Sequence, residues 1–243
     1  MNTVIEKNDA LDALFKAGAH YGVAKARRHP STQKALFGQK QKMDLFDLAL
    51  TYEKLEEAKE FVRILGRERK TLLFVGGKPE SQKIVREVSN RIGAPYCIGR
   101  WIGGTITNYA EIKKRVAHMV DLTTRREAGT LTKYTKFERL QIDREIEKLE
   151  GMYAGLTSLG DKLPAALFVV DPKREMIAVR EAKSHDIPVI ALANSDCDLT
   201  MIDCPIPAND ATAKSIRYIV EEIASAYKEG LEEKLILSAT PRA

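Results

Sequence analysis

The sequence contains few of the features that mark membrane, secreted or disulfide-stabilised proteins. Its longest purely apolar run, residues 163–170, has eight residues, whereas a membrane-spanning helix needs about 20. The first twenty residues mix acids with apolar side chains and predict no signal peptide. The three cysteines are odd in number and show no C-x-x-C spacing, which indicates reduced thiols in a cytosolic protein. We therefore expect neither a membrane partner nor a disulfide framework.

Complete catalytic motifs are also missing. The sequence has no Walker loop, G-x-G-x-x-G, G-x-S-x-G or H-E-x-x-H motif, and its four histidines are scattered. Residues 76–78 (GGK) follow an apolar run and could hold a phosphate, but such turns are common in α/β sheets. Asp171 and the acidic segment 194–198 also follow apolar runs, and these could bind a cation, cap a helix or form a solvated loop. The sequence predicts no enzyme and no small-molecule substrate. The alternative is a small α/β enzyme that binds a phosphorylated ligand at the strand carboxyl ends.

The composition is that of a globular protein, with 44% hydrophobic and 30% charged residues. Short apolar runs predict buried strands, and amphipathic segments between them predict helices. Their alternation indicates βαβ units and a three-layer α/β sandwich with four or five parallel strands. The predicted strands are 71–77, 94–98, 165–172 and 188–194, and the predicted helices are 9–17, 51–65, 81–92, 173–185 and 209–230.

Residues 105–158 interrupt this alternation. In their second half, apolar residues are spaced 4-3-4-3, which is the seam period of a coiled coil. We predict an inserted α-helical coiled-coil hairpin with its turn at 127–136; the alternative is that both helices cover the sheet. This divides the chain into an α/β domain with a basic N-terminal arm, the inserted hairpin, and a tail that we expect to be partly disordered. These parts cover residues 1–104 with 159–230, residues 105–158, and residues 231–243.

Basic residues are concentrated near the N-terminus. The segment 16–42 holds seven basic residues and no acid, whereas the whole chain has a net charge of +5. Its glycines and proline predict loops and short extended pieces, so this arm is either a phosphate-binding surface or a solvated loop. The segment 100–108 (RWIGGTITN) adds an arginine beside the only tryptophan, whose ring could stack on a base or anchor the core. The candidate RNA-binding residues are Lys25, Arg27, Arg28, Lys34, Lys40, Lys42, Arg100, Trp101, Thr107, Asn108, Lys113 and Lys114.

Five blocks occur in a characteristic order: GAHYG (18–22), RWIGGTITN (100–108), LPAALFVVDP (163–172), IPVIALANSDCD (187–198) and IPANDATAKSIR (206–217). Together they resemble the bacterial-type small-subunit ribosomal proteins of the S-two family, over about residues 9–230. The resemblance implies a flavodoxin-like, Rossmann-like α/β domain with an inserted coiled-coil hairpin. It also implies a structural, rRNA-binding role between the head and body of the small subunit, next to the S-one ribosomal protein.

The resemblance also implies a position at which some family members bind zinc. Those members use a histidine and an aspartate at the contact with the S-one protein. Here Val23 stands at the position of a second histidine and Asn194 at a position that is often aspartate. Ala208 and Ala211 replace a glycine and another aspartate. We therefore expect no cofactor and no metal in this chain.

Overall fold

The computed structural model describes residues 2–239, and the side chains of residues 7–233. Its helices are α1 (Asn2–Ala17), α2 (Leu48–Arg67), α3 (Pro79–Ile92), α4 (Tyr109–Glu127), α5 (Lys136–Tyr153), α6 (Met176–Ser184) and α7 (Ala213–Ala239). Its strands are β1 (Tyr21–Ala24), β2 (Leu36–Lys40), β3 (Met43–Phe46), β4 (Leu72–Gly76), β5 (Tyr96–Ile98), β6 (Ala166–Val170), β7 (Val189–Ala193) and β8 (Cys204–Pro207).

The main sheet has five parallel strands in the order β5-β4-β6-β7-β8. Every residue of β4, β6 and β7 is buried, because helices cover both faces and the strands are continuous apolar runs. The predicted α/β class and three-layer architecture are confirmed. The edge strand β8 was not predicted, because its sequence CPIP contains two prolines, which are tolerated in sheets mainly at edges.

Alternate residues of each strand contribute to two apolar clusters. Phe74 and Phe168 pair across β4 and β6 and face helices α2, α3 and α7. Val75 and Val169 face the opposite side, where α6, the segment after β5 and the two inserted helices cover the sheet. Burying a side chain of this size contributes about 1.5–3 kcal/mol, so both helix layers are held by the alternation of the strands.

Helix α7 continues past the predicted end of the α/β domain. Gly230 lies against the carbonyl of Arg63 on α2, and an added Cβ would overlap that group. Leu231 packs on the core, and Arg67 bonds Glu233 at 2.8 Å. Helix α7 therefore continues through residues 231–239, and α2 provides a partner for the part up to Glu233. The last four residues of the predicted tail lie outside the described residues.

Helices α4 and α5 pack on each other around the predicted turn. A capping box starts α5, since the amide of Glu138 donates to Thr135 Oγ1 at 3.3 Å and the Glu138 carboxylate accepts from the Thr135 amide at 2.8 Å. Buried Met119 and Ile146 belong to the same cluster as one face of the sheet. The apolar stripe of the pair is therefore continuous with the α/β core, and the coiled-coil geometry remains a prediction.

Candidate nucleic-acid interface

The basic arm folds as a small antiparallel sheet in the order β1-β3-β2. Two 3-10 turns, Lys25–Arg27 and Pro30–Ala35, connect β1 to β2. The β2–β3 connection has two residues, Gln41 and Lys42, with φ of 52° and 66°, as a type I′ hairpin requires. The predicted short extended pieces are present, but their pairing into a sheet was not predicted.

Ser195 holds this sheet against the α/β domain. Its hydroxyl accepts the amide of Val23 at 3.0 Å. Its carbonyl accepts the amide of His29 at 2.8 Å and the hydroxyl of Thr32 at 2.9 Å. Gly22 allows the approach, because a Cβ there would crowd the Ser195 hydroxyl. The arm is therefore fixed just beyond the carboxyl end of β7.

Arg28 differs from the other basic residues of the arm, because it makes a structural ion pair. Its Nε donates to Asp44 Oδ2 at 2.8 Å and its Nη2 bonds Asp44 Oδ1. Asp44 is buried, and the hydrogen bonds from Arg28 lower the pKa of this carboxyl. The other candidate basic residues of the arm are exposed, and the described residues provide no ion-pair partner for any of them: Lys25, Arg27, Lys34, Lys40 and Lys42.

The segment after β5 wraps around one buried carboxylate. Trp101 is 4% exposed, and its Nε1 lies 3.3 Å from Glu181 Oε1. The amides of Gly104 and Ile106 donate to the same carboxylate at 2.7 and 3.0 Å. Burial raises the pKa of Glu181, but these amide donors outweigh burial and the pKa is lowered. The Trp101 ring is thus a core anchor, the alternative left open above, and in this arrangement it is not available to stack on a base.

Glu181 was not identified from the sequence. The only available signal was a carboxylate between Ala178 and Ala182 on the apolar face of α6.

The remaining candidates lie at the surface. Arg100, Thr107 and Asn108 are exposed. Lys113 pairs with Asp161, and Lys114 bonds Glu111 at 2.6 Å. Solvent screens exposed pairs of this kind and they contribute little to stability, so both lysines could exchange their partners for a phosphate.

The basic residues of the arm and Arg100 lie along one edge of the main sheet. The arm docks beyond β7 and Arg100 follows β5, and parallel strands have their carboxyl ends at the same edge. Strands β5 and β7 are three positions apart, which is roughly 14 Å at the usual strand spacing. The sequence separated these groups by about sixty residues, and the topology brings them to one edge.

Lys78 follows β4 at the same edge and is already neutralised. Its Nζ lies 3.3 Å from Asp171 Oδ2 and 3.2 Å from Asp210 Oδ1, which also accepts the Asn194 amide at 2.6 Å. Burial lowers the pKa of Lys78, but the charges of Asp210 and Asp171 outweigh burial and the pKa is raised. A lysine held by two carboxylates is not available for a phosphate, which argues against the enzyme alternative.

The acidic residues of this edge serve local structure. Asp171 accepts the amide of Arg174 at 3.1 Å in the turn that precedes α6. Asp198 accepts the amide of Thr200 at 3.0 Å. Asp203, which the sequence grouped with this cluster, lies instead at the amino edge of the sheet, where it precedes β8 and accepts the amide of Val189 at 2.8 Å. Among the described residues no three histidine, cysteine or acidic side chains are grouped so that they could hold a metal ion.

The position that the family resemblance associates with zinc has an unsuitable donor set here. Val23 supplies no side-chain ligand atom, and the Asn194 amide is bonded to Asp210. The Nδ1 atom of His20 is buried without a hydrogen-bond partner, but its ring is stacked on Phe15 at 4.6 Å between centroids. These residues do not fit a zinc ion.

The arm also exposes large apolar side chains that sequence reasoning missed. Phe37 on β2 is 81% exposed, and Phe15, Tyr21 and Met43 are also exposed. The available signal was an aromatic residue on a short strand in a polar segment. No helix within residues 2–239 combines the length and the apolar content needed to cross a membrane.

Comparison with known proteins gives a consistent result. A profile of the family Ribosomal protein S2 matches residues 14–230. Small ribosomal subunit protein uS2 of Coprothermobacter proteolyticus is 41% identical over 222 residues, covering 91% of this chain and 82% of the relative. The protein of the same name from Dictyoglomus thermophilum is 41% identical over 226 residues, covering 92% of both chains. That of Roseiflexus sp. is 39% identical over 230 residues, covering 95% of this chain and 87% of the relative.

Proposed function

Because this chain belongs to the ribosomal protein S2 family, we propose that it binds small-subunit rRNA between the head and body through the sheet edge that carries its basic arm. Family membership makes it a structural component of the small ribosomal subunit in the cytoplasm, and not an enzyme. The finer role, contact with rRNA through particular residues, is the proposal.

The arm's free cations are the observation that supports this role. Lys25, Arg27, Lys34, Lys40 and Lys42 are exposed and have no ion-pair partner among the described residues. The hydrogen bonds to Ser195 hold their backbone in a fixed arrangement, so binding RNA does not require the arm to fold first. Phosphate contacts from such residues supply most of the affinity of proteins for nucleic acids.

Charge reversal tests this interface. The variant Arg27→Glu/Lys34→Glu/Lys40→Glu should bind small-subunit rRNA and S2-depleted subunits much more weakly than the wild type in sedimentation assays. The slope of log affinity against log salt should also decrease, by up to about 0.9 for each lost phosphate contact.

The matched control reverses three exposed basic residues on helices α3 and α7 that do not lie at this sheet edge: Arg86→Glu/Arg91→Glu/Lys228→Glu. Each triple variant has a net charge of −1, since three reversals subtract six from +5. The control should retain binding. An arm variant that binds with the affinity and salt slope of the wild type would show that the arm is not the contact surface.

A second role is supported by the apolar side chains of the arm. Phe37 is 81% exposed on the edge strand β2, and exposed apolar groups beside unpaired strand edges mark protein interaction sites. We propose that this surface docks the S-one ribosomal protein.

Phe37→Ser should weaken binding of the S-one protein by about tenfold or more, as loss of an aromatic anchor does, and leave rRNA binding unchanged. Phe137→Ser is the control, because Phe137 is 66% exposed on α5, away from the arm. Equal binding of the S-one protein by Phe37→Ser and the wild type would rule out this surface.

A further inference from the structure

A cavity of about 420 Å³ opens at the carboxyl ends of β4, β5 and β6. From β4 the chain continues to β5 on one side, and β6 lies on the other side of β4. The connections therefore diverge at this point, and open α/β sheets bind their ligands at such a reversal. Neither the arm nor Lys78 lines this cavity.

Two arginines from different elements line the cavity. Arg100 follows β5, and Arg174 lies two residues before the start of α6. Both side chains are exposed, and neither has an ion-pair partner among the described residues. Guanidinium groups present planar forks of N–H donors that match phosphate oxygens, so a phosphate in the cavity could be held from two sides.

The floor of the cavity is backbone at close approach. An added Cβ on Gly77 would overlap the carbonyl oxygen of Gly99 and Glu175 Oε1. Glycine at position 77 is therefore needed for these groups to pack closely, and this part of the cavity wall is main chain.

Glu175 is the one acidic group of the lining, and it is buried. Burial, reinforced by the charge of Asp171, raises its pKa to about 7, while Arg174 opposes the shift. Near neutral pH the carboxyl is thus partly protonated and offsets less than one of the two arginine charges. The lining has a net positive charge, as an anion site needs.

We propose that this cavity binds a phosphate group, held by Arg100 and Arg174. The inference goes beyond the proposed RNA interface, because Arg174 and the glycine floor belong to no part of the arm. The phosphate could be that of an RNA backbone or of a free nucleotide. A free nucleotide or phosphate would bind to the isolated chain, whereas an RNA phosphate would contribute to the affinity for rRNA. No chemical step is involved.

Calorimetric titration of the isolated chain with inorganic phosphate and with guanosine monophosphate tests the free source. Affinity for small-subunit rRNA, measured in parallel, tests the RNA source. Two cavity variants are used: Arg100→Gln/Arg174→Gln, which removes both charges, and Ile177→Glu, which places an anion at the exposed rim residue. We expect at least tenfold weaker binding of the relevant probe by both.

One control removes the same two charges outside the cavity, and the other replaces the same rim residue without adding a charge. Arg91→Gln/Arg180→Gln removes two exposed arginines that do not line the cavity, and Ile177→Gln changes the rim without adding charge. Both should bind like the wild type. Binding of a small probe that is lost only in the cavity variants assigns a free phosphate ligand, and weakening of rRNA binding alone assigns an RNA phosphate.

The proposal is overturned if the wild type binds no small probe and both cavity variants keep wild-type rRNA affinity. It is also overturned if the two control variants weaken binding as much as the cavity variants do. These outcomes are separate from failure of the arm interface, because the arm variant leaves every residue of the cavity unchanged.

Discussion

Glu175 gives the protein a pH-dependent stability that originates in one side chain. The group has a folded-state pKa of about 7, raised first by burial from an ordinary value of 4.5. Between these pH values the native state binds more protons than the unfolded chain, so the free energy of unfolding falls as the pH rises. The loss of stability from ionising this buried carboxyl is absent below about pH 4.5 and complete above about pH 7.

Glu175→Gln should therefore stabilise the protein at pH 8 by up to about 3 kcal/mol and change little at pH 4.5. The amide keeps an oxygen that accepts the Gly77 N–H, which bonds the wild-type carboxylate. Urea denaturation at both pH values measures the difference between variant and wild type. Equal effects of the substitution at pH 4.5 and pH 8 would contradict a buried carboxyl that titrates near neutrality.

At the scale of elements, one carboxylate organises an entire connection. The segment between β5 and α4 has little regular structure, and it is fixed by amide donors that converge on Glu181 of α6. This connection delivers Trp101 to the core and leaves Arg100, Thr107 and Asn108 at the surface. Its glycine at position 104 has φ of 92°, a value that side chains rarely adopt, so the chain can turn around the carboxylate.

Glu181→Ala should destabilise the protein strongly, because each buried donor left without an acceptor costs about 1–3 kcal/mol. Trp101 is the only tryptophan, so its fluorescence should shift to the red as the loop opens, at a lower denaturant concentration than in the wild type.

Glu181→Gln keeps acceptor oxygen at this position and should lose less stability than Glu181→Ala. Since the folded pKa of Glu181 is lowered, its ionised form contributes stability above its ordinary pKa, and this is lost as the pH falls through the folded value. An alanine variant with wild-type stability and emission would show that the carboxylate does not hold the loop.

At the scale of the whole molecule, the topology of the sheet determines where the positive charge of the arm lies. The segment 16–42 carries +7 and the chain +5, so the rest of the protein carries −2. Because the arm docks at the carboxyl edge of the sheet, the positive charge is concentrated on one side of the molecule. A charge asymmetry of this kind orients a protein as it approaches a polyanion. The helix layer formed by α2, α3 and α7 has surface ion pairs between acidic and basic residues, such as Arg63 with Glu229.

The inserted helices α4 and α5 pack on each other and also on one face of the sheet. The apolar spacing of residues 142–156 predicted a seam between two helices, and α4 and α5 do pack on each other. The spacing alone could not show that Ile146 and Met119 would also join the cluster on one face of the sheet. That continuity depends on where the insertion leaves the sheet, next to β5, and sheet order is a property of the fold.

The sequence by itself determined the fold class and the family. Continuous apolar runs required buried strands, their alternation with amphipathic segments required a parallel sheet, and the ordered blocks such as 100–108 identified the relatives. The excess of basic residues in the arm was also visible, because net charge is a property of composition. These features depend on neighbours along the chain.

Only the tertiary structure decided which of the basic and aromatic residues are free. Arg28 is held by Asp44, Lys113 pairs with Asp161, and Trp101 is buried on Glu181, which lies 80 residues away. Residue type and local spacing are the same for a paired and an unpaired arginine, and for a stacked and a buried tryptophan. The difference is made by partners that the fold brings from distant parts of the chain, because a buried polar group must find its hydrogen bonds wherever the packing places them.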